Sequence, residues 1–213
     1  MKRFLIISIL IFLINCRSTK QAVFPEFTVQ NPQRIKDYEK ELKLFTRIDE
    51  FRTKNIDFIA YKSYSVGSIR LIEKDPNSHD NCIPDYPIYL IWSENNKEYI
   101  QMFDNCGSFF PLELDNSDIT NFVNENFEII KSEKIKFYQT NKSTVSMIDH
   151  STFKQFLISK SDFETYNDFD IYNLSSKSGS LNINAKYNNN LKIVSLNNLI
   201  EKKIKNLRFI KSK

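Results

Sequence analysis

The histidines come first among the residues that could do chemistry, because histidine changes its charge near neutral pH. His150 lies between Asp149 and Ser151, and together they supply the three residue types of a serine hydrolase site. Adjacent residues in a strand point to opposite faces of the sheet, so these three side chains cannot act together where they stand. A hydrolase site that used His150 would need partners from distant parts of the chain.

The second histidine, His79, is followed by Asp80 and Cys82 and could join Cys106 in a metal site. These are ligand types that zinc accepts, but structural zinc normally takes four ligands at recognisable spacings. The chain has 2 histidines, they do not lie at a metal-binding spacing, and neither belongs to a His-Glu-x-x-His motif. We therefore predict no metal and no cofactor, and keep this cluster as the one metal alternative.

The scarcity of glycine excludes several enzyme families. Gly67, Gly107 and Gly179 are the only 3 glycines in 213 residues. A dinucleotide-binding loop, a phosphate-binding P-loop and the nucleophile elbow of α/β-hydrolases each need glycines at close spacing. None of these motifs can be written in this chain.

Carboxylates could act as general acids or bases wherever a fold buries or pairs them. The candidates that we single out are Asp115, Asp118, Asp168 and Asp170. Nothing in the sequence distinguishes them from other acidic residues, so we predict no catalytic residue.

The chain begins with two basic residues, Lys2 and Arg3, followed by an almost wholly apolar run at 4–14. This pattern is typical of a secretory leader, and the run is too short for an ordinary membrane span. The leader ends in Leu-Ile-Asn-Cys at 13–16, which resembles the lipobox of bacterial lipoproteins. Asn15 stands where that family usually has Gly, Ala or Ser, so an uncleaved leader, or one cut elsewhere, is the alternative.

The resemblance covers only the leader, and it implies that Cys16 is lipidated and becomes the first mature residue. The protein would then sit in the cell envelope, held to a membrane by this lipid and facing the periplasm. We expect a leader at 1–15, a lipidated cysteine and flexible tether at 16–32, and one globular domain at 33–213.

Export also bears on the two remaining cysteines, Cys82 and Cys106. An exported protein meets an oxidising environment, in which an even pair of thiols usually forms a bond. We expect this disulfide, and closing a loop of 24 positions stabilises a fold by about 3 kcal/mol in the loop-entropy description.

The charge balance of the mature chain argues against nucleic acid as a partner. Of the 30 basic residues, Lys2 and Arg3 belong to the leader, which leaves 28 against 26 acidic residues. A net charge of about +2 with interspersed signs provides no basic footprint.

The strongest structural signal is a β-hairpin formed by residues 88–93 and 98–103. Two alternating apolar runs flank the turn-prone pair Asn95 and Asn96. With these two residues as the turn, Trp92 faces Tyr99 across the pair. Both faces of the hairpin are mostly apolar, so we expect two interior strands that are covered on both sides.

Apolar residues at helical spacing predict three amphipathic helices, at 33–54, after Ser117, and at 196–207. Weaker patterns predict a strand pair around Val66 to Ser68, a second hairpin from 134–139 and 144–148, and a third from 181–187 and 191–193. Between the last two hairpins we expect a short helix that includes Phe153 and Phe156, with a capping box at Ser161 and Glu164. We expect Phe109 and Phe110 to be buried.

These elements predict one α+β domain with a mainly antiparallel sheet, on which the first and last helices pack. For function we expect a non-enzymatic envelope protein that binds a partner protein or a small ligand. The alternative is an envelope hydrolase whose active site the sequence does not reveal.

Overall fold

The computed structural model describes residues 32–67, 82–141, 143–177 and 180–212. The leader, Cys16, the tether, His79 and Asp80 lie outside these ranges.

The described chain forms an α+β domain, as predicted. Its α-helices are α1 (Pro32–Phe45), α2 (Ile48–Thr53), α3 (Asp118–Ser132), α4 (Ala185–Asn189) and α5 (Lys192–Ile204). Its strands are β1 (Phe58–Val66), β2 (Ile88–Glu94), β3 (Lys97–Asp104), β4 (Gly107–Ser108), β5 (Leu112–Glu113), β6 (Gln139–Asn141), β7 (Thr144–Val145), β8 (Ser151–Lys160) and β9 (Phe163–Asp170). A 3-10 turn at Ile171–Leu174 follows β9.

Seven of these strands form one antiparallel sheet in the order β4-β3-β2-β1-β8-β9, with β5 also paired to β3. The hairpin of β2 and β3 has the predicted register, in which Trp92 pairs with Tyr99 and Ile88 with Phe103. Asn95 and Asn96 both have positive φ, at 52° and 62°, which suits a two-residue hairpin turn.

Helices cover the sheet on both faces, so the interior strands are apolar on both sides, as predicted. On one face α1 and α2 contribute Tyr38, Leu42 and Phe51 to a core that includes Trp92. On the other face α3 and α5 pack on a larger core. Its fully buried side chains include Ile59, Ile91, Ile100, Ile119, Ile130, Phe156, Ile158, Leu196 and Ile200.

The first helix is interrupted, which the periodicity of 33–54 did not predict. A continuous helix would turn Asp49 toward the sheet on the same side as Tyr38 and Leu42. The break after Phe45 instead lets α2 bury Ile48 and Phe51 and leaves Asp49 exposed. The break in the helix therefore allows two apolar side chains to be buried.

The predicted helix after residue 151 is wrong, because this stretch forms the long hairpin of β8 and β9. Phe156 and Leu157 are both buried, on opposite faces of the sheet. A strand covered on both faces lacks simple alternation and resembles a helix in sequence. Ser161 is not a helix cap but forms the two-residue turn with Asp162, both at positive φ.

The predicted third hairpin is also wrong, since residues 181–184 form an irregular segment and a turn, 185–187 belong to α4, and 192–193 belong to α5. The second hairpin exists, although it is shorter than expected and consists of β6 and β7. Val66 ends the single strand β1, and the other half of the predicted strand pair lies outside the described residues. The predicted burial of Phe110 is wrong, because this side chain is 52% exposed, while Phe109 is half-buried.

Candidate functional site

The histidine that could support a hydrolase does not meet its partners. His150 is exposed and packs on the backbone of Gly67, where a Cβ would collide with the imidazole ring. Ser151 donates its hydroxyl hydrogen bond to Asp170 instead. Within the described ranges, no hydrogen bond joins His150 to a carboxylate or a serine.

The four candidate carboxylates are scattered over the molecule. Asp115 and Asp118 are exposed, and Asp118 lies 3.4 Å from the Lys203 ammonium group. Asp170 accepts a hydrogen bond of 2.8 Å from the Tyr172 amide and so caps the 3-10 turn. The described residues contain no group of three His, Cys, Asp or Glu side chains that could hold a metal ion.

Of these four carboxylates, Asp168 has the most unusual environment. Arg34 of α1 donates to its Oδ2 at 3.0 Å, and Oδ1 accepts no hydrogen bond from the described part of the chain. Burial raises the pKa of Asp168 to about 6, against the lowering effect of the Arg34 guanidinium. The Asp168 side chain is 0% exposed, so a substrate has no access to it. We therefore assign Asp168 to the attachment of α1 on the sheet rather than to catalysis.

A cleft opens where the junction of α1 and α2 faces the end of β3, and we call it the disulfide-side cleft. Its volume is about 550 Å³, which is in the range of ligand sites. It is lined by Leu44, Phe45, Thr46, Arg47, Glu50, Gln101, Phe103, Asp104, Asn105, Gly107 and Ser108.

The disulfide region builds one rim of this cleft. The Sγ atoms of Cys82 and Cys106 lie 2.05 Å apart, which is the distance of a disulfide and agrees with the predicted bond. Asn105 adds two hydrogen bonds to the segment before β2, since its Oδ1 accepts from the Asp85 amide at 2.7 Å and its Nδ2 donates to the Ile83 carbonyl at 3.1 Å. The turn after β3 is therefore tied to the segment before β2.

Two polar groups of the cleft wall have unused hydrogen-bonding capacity. Gln101 is 6% exposed, and its Nε2 donates to the Phe109 carbonyl at 2.8 Å while its Oε1 accepts nothing from the described residues. Arg47 donates from Nη2 to Glu50 at 2.8 Å, but its Nε likewise has no acceptor there. A buried polar atom without a partner costs about 1–3 kcal/mol.

Apolar side chains stand beside these polar groups. Leu44 is 66% exposed at the mouth of the cleft, and Phe45 is also exposed. Phe103 forms part of the wall but is buried. The cleft thus combines an apolar border with a donor and an acceptor that lack partners.

A second groove, of about 540 Å³, lies at the opposite end of the strands between α3 and the turn of β8 and β9. Two of its charged groups already have partners inside the protein. Asp57 accepts from the Ser161 amide at 2.8 Å, and Lys160 donates to the Asn124 carbonyl at 2.9 Å. This groove therefore offers a ligand less unused hydrogen-bonding capacity than the disulfide-side cleft.

The sequence did not predict the disulfide-side cleft. It predicted the hairpin, whose register pairs Gln101 with Leu90, and the disulfide beside the cleft. Arg47 could not be found, because the break between α1 and α2 that brings it to the cleft was not predicted. An uncharged glutamine on an otherwise apolar strand face was the one available signal.

In comparisons with protein-family models, curated proteins and solved structures, none matched this chain. Over the residues that the structure describes, no helix has both the length and the apolar character needed to cross a membrane.

Proposed function

We propose that this chain is a lipid-anchored protein of the bacterial cell envelope that binds a partner protein or a small ligand in the disulfide-side cleft. The leader and the lipobox-like residues that end at Cys16 support the anchor. The observation that supports the binding role is a pair of groups in the cleft wall, Arg47 Nε and Gln101 Oε1, that have no hydrogen-bond partner in the described part of the chain.

The physical reason is that such groups are costly until they are paired. Each unpaired buried group destabilises the free protein by about 1–3 kcal/mol. A ligand that gives Gln101 Oε1 a donor and Arg47 Nε an acceptor removes part of this penalty when it binds. Contact with Leu44 and Phe45 adds about 25 cal/mol for every Å² of apolar area removed from water. Both atoms lie behind the surface of the wall, so binding includes a small rotation of these two side chains.

A hydrolase has weaker support. It would need an engaged His150 or a reachable acid. Among the described residues His150 has no hydrogen bond to a serine or a carboxylate, and Asp168 is enclosed. Turnover in a broad hydrolase screen that disappears in His150→Ala, with the fold retained, would contradict the binding role.

The test is affinity capture from envelope extracts with the purified mature protein as bait. Leu44→Gln removes an exposed apolar side chain at the mouth of the cleft and is compatible with the helix. We expect this variant to retain several-fold less of the captured molecule than the wild type, because its apolar contact is lost.

Ile129→Gln is the matched control, since Ile129 is also an exposed apolar residue on a helix but lies on α3, away from the cleft. It should capture as much as the wild type. Equal capture by all three proteins, or the same loss in both variants, would contradict binding in the disulfide-side cleft.

A further inference from the structure

The strands β6 and β7 lie outside the main sheet and form a small arm with the segment around Ile183. Gln139 pairs with Val145 on one side and accepts a hydrogen bond of 2.8 Å from the Ile183 amide on the other. The Ser146 amide donates to the Tyr138 carbonyl at 2.9 Å. The turn at Ile183 is thereby joined to the two-stranded hairpin of β6 and β7.

Buried asparagines hold this arm on the body of the protein. The amides of Lys136 and Tyr138 donate to Asn188 Oδ1 and Asn173 Oδ1, both at 2.9 Å. Asn182 Oδ1 accepts from the Gln139 amide at 3.2 Å. All three asparagines are buried. The arm is therefore fixed by specific contacts, and the exposure of its side chains is not a result of poor packing.

Apolar side chains on the arm are strongly exposed, with Met147 at 77% and Leu181 at 71%. We call the exposed apolar residues of this region the arm surface, and they are Val145, Met147, Ile148, Leu181, Ile183 and Tyr187. Monomeric proteins rarely group so many exposed apolar side chains unless the surface meets a partner or a membrane.

The charges within the segments that form the arm are mostly positive. Among the described residues of 134–149 and 177–187, Asp149 is the only acid, and the basic residues are the exposed Lys134, Lys136, Lys177 and Lys186. The Lys136 ammonium lies 4.3 Å from the centroid of the Tyr187 ring. Lysines around apolar and aromatic side chains fit an anionic lipid surface, because long basic side chains reach headgroups while the apolar ones enter the acyl boundary.

The arm also lies at the place where the chain leaves for its anchor. Ser146 Oγ and the Tyr172 hydroxyl are 2.8 Å apart, so the arm contacts the turn that directly follows β9. At this same end of β8 and β9, Arg34 in the first turn of α1 bonds Asp168 and lies 4.9 Å from the Phe153 ring centroid. The 15 residues 17–31 can span at most about 50 Å, which keeps the arm within reach of a membrane that holds Cys16.

We propose that the arm surface lies on an anionic membrane surface. This inference rests on the proposed lipid anchor, and it adds a defined orientation to it. A bilayer is favoured over an acidic protein because protruding side chains such as Met147 and Leu181 need no complementary shape in order to enter lipid.

The test is hydrogen exchange of the mature lipidated protein, reconstituted in vesicles of phosphatidylcholine with or without phosphatidylglycerol. Amides of 139–147 and 181–184 should exchange about tenfold more slowly in vesicles that contain phosphatidylglycerol. The double variant Met147→Asp with Leu181→Asp should lose this protection. The matched control Ile129→Asp with Phe163→Asp, two exposed apolar residues away from the arm, should keep it.

Flotation of the same samples separates the two proposals. A protein that floats with both kinds of vesicle but shows no protection of the arm retains its anchor and overturns the membrane-docked arm. If the protein carries no lipid, the wild type should float only with the vesicles that contain phosphatidylglycerol, and the double variant should not float with them. If it floats with neither kind, the docking proposal is overturned as well.

Discussion

At the scale of single residues, Asp168 shows how the fold tolerates a buried charge. Its carboxylate is enclosed beneath α1, where one oxygen accepts a hydrogen bond from Arg34 and the other accepts none from the residues that the structure describes. Burial disfavours the charged form, and the single guanidinium offsets only part of that cost. The side chain therefore favours its protonated form more in the folded state than in the unfolded chain.

This raised pKa predicts how stability depends on pH. A carboxyl whose folded pKa is about 6 instead of 3.8 contributes stability below about pH 4 that is lost as the pH rises through 6. We expect the stability of the wild type, relative to Asp168→Asn, to fall by about 2–3 kcal/mol between about pH 4 and pH 7. Urea unfolding of both proteins across this range measures the difference.

Asp115→Asn removes a surface carboxyl group and controls for the change in net charge. If the two variants differ from the wild type in the same way at every pH, the assignment of the effect to the buried position of Asp168 is wrong.

At the scale of elements, two glutamates cap helices to which they do not belong. Glu98 of β3 accepts from the Thr120 amide in the first turn of α3 at 2.6 Å. Glu133, just after α3, accepts from the Lys192 and Ile193 amides of α5 at 2.7 and 2.9 Å. A carboxylate that binds the free amides at a helix start also interacts favourably with the helix dipole.

Glu133→Ala should therefore destabilise the protein by about 1–2 kcal/mol, because two amides of α5 lose their acceptor. Glu128→Ala on the exposed side of α3 is the control and should change the free energy of unfolding by less than about 0.5 kcal/mol. Thermal or urea unfolding measures both changes in the free energy of unfolding. Equal effects of the two substitutions would contradict the capping role of Glu133.

Elements were predicted correctly where the local pattern of apolar residues matches the faces that are buried in the fold. The hairpin of β2 and β3 has alternation and a strong turn pair, and α3 and α5 each have one apolar face. Where long-range contacts decide, prediction failed. β8 is buried on both faces, so its apolar residues do not alternate. Asn188 lies between the two halves of the predicted third hairpin, but it belongs to α4 and its side chain accepts a hydrogen bond from the distant Lys136 amide.

At the scale of the whole molecule, α1 links the two proposed surfaces. It begins beside Asp168 near the arm and ends at Phe45 in the disulfide-side cleft, so it crosses the sheet. Its 14 residues span about 20 Å. The arm contacts the turn after the edge strand β9, and the cleft lies at the edge formed by β3 and β4, so the two proposed surfaces are at opposite edges of the sheet.

The anchor underlies both proposals, so the most direct test is the intact mass of the protein extracted from membranes without reduction. We expect a chain that begins at Cys16, carries the mass of attached acyl chains, and is lighter by two hydrogens because Cys82 and Cys106 are bonded. Digestion should locate the lipid on the peptide that begins at Cys16. An unmodified cysteine at position 16, or a chain that retains its leader, would contradict the lipid anchor, and two free thiols at Cys82 and Cys106 would contradict the disulfide at the rim of the cleft.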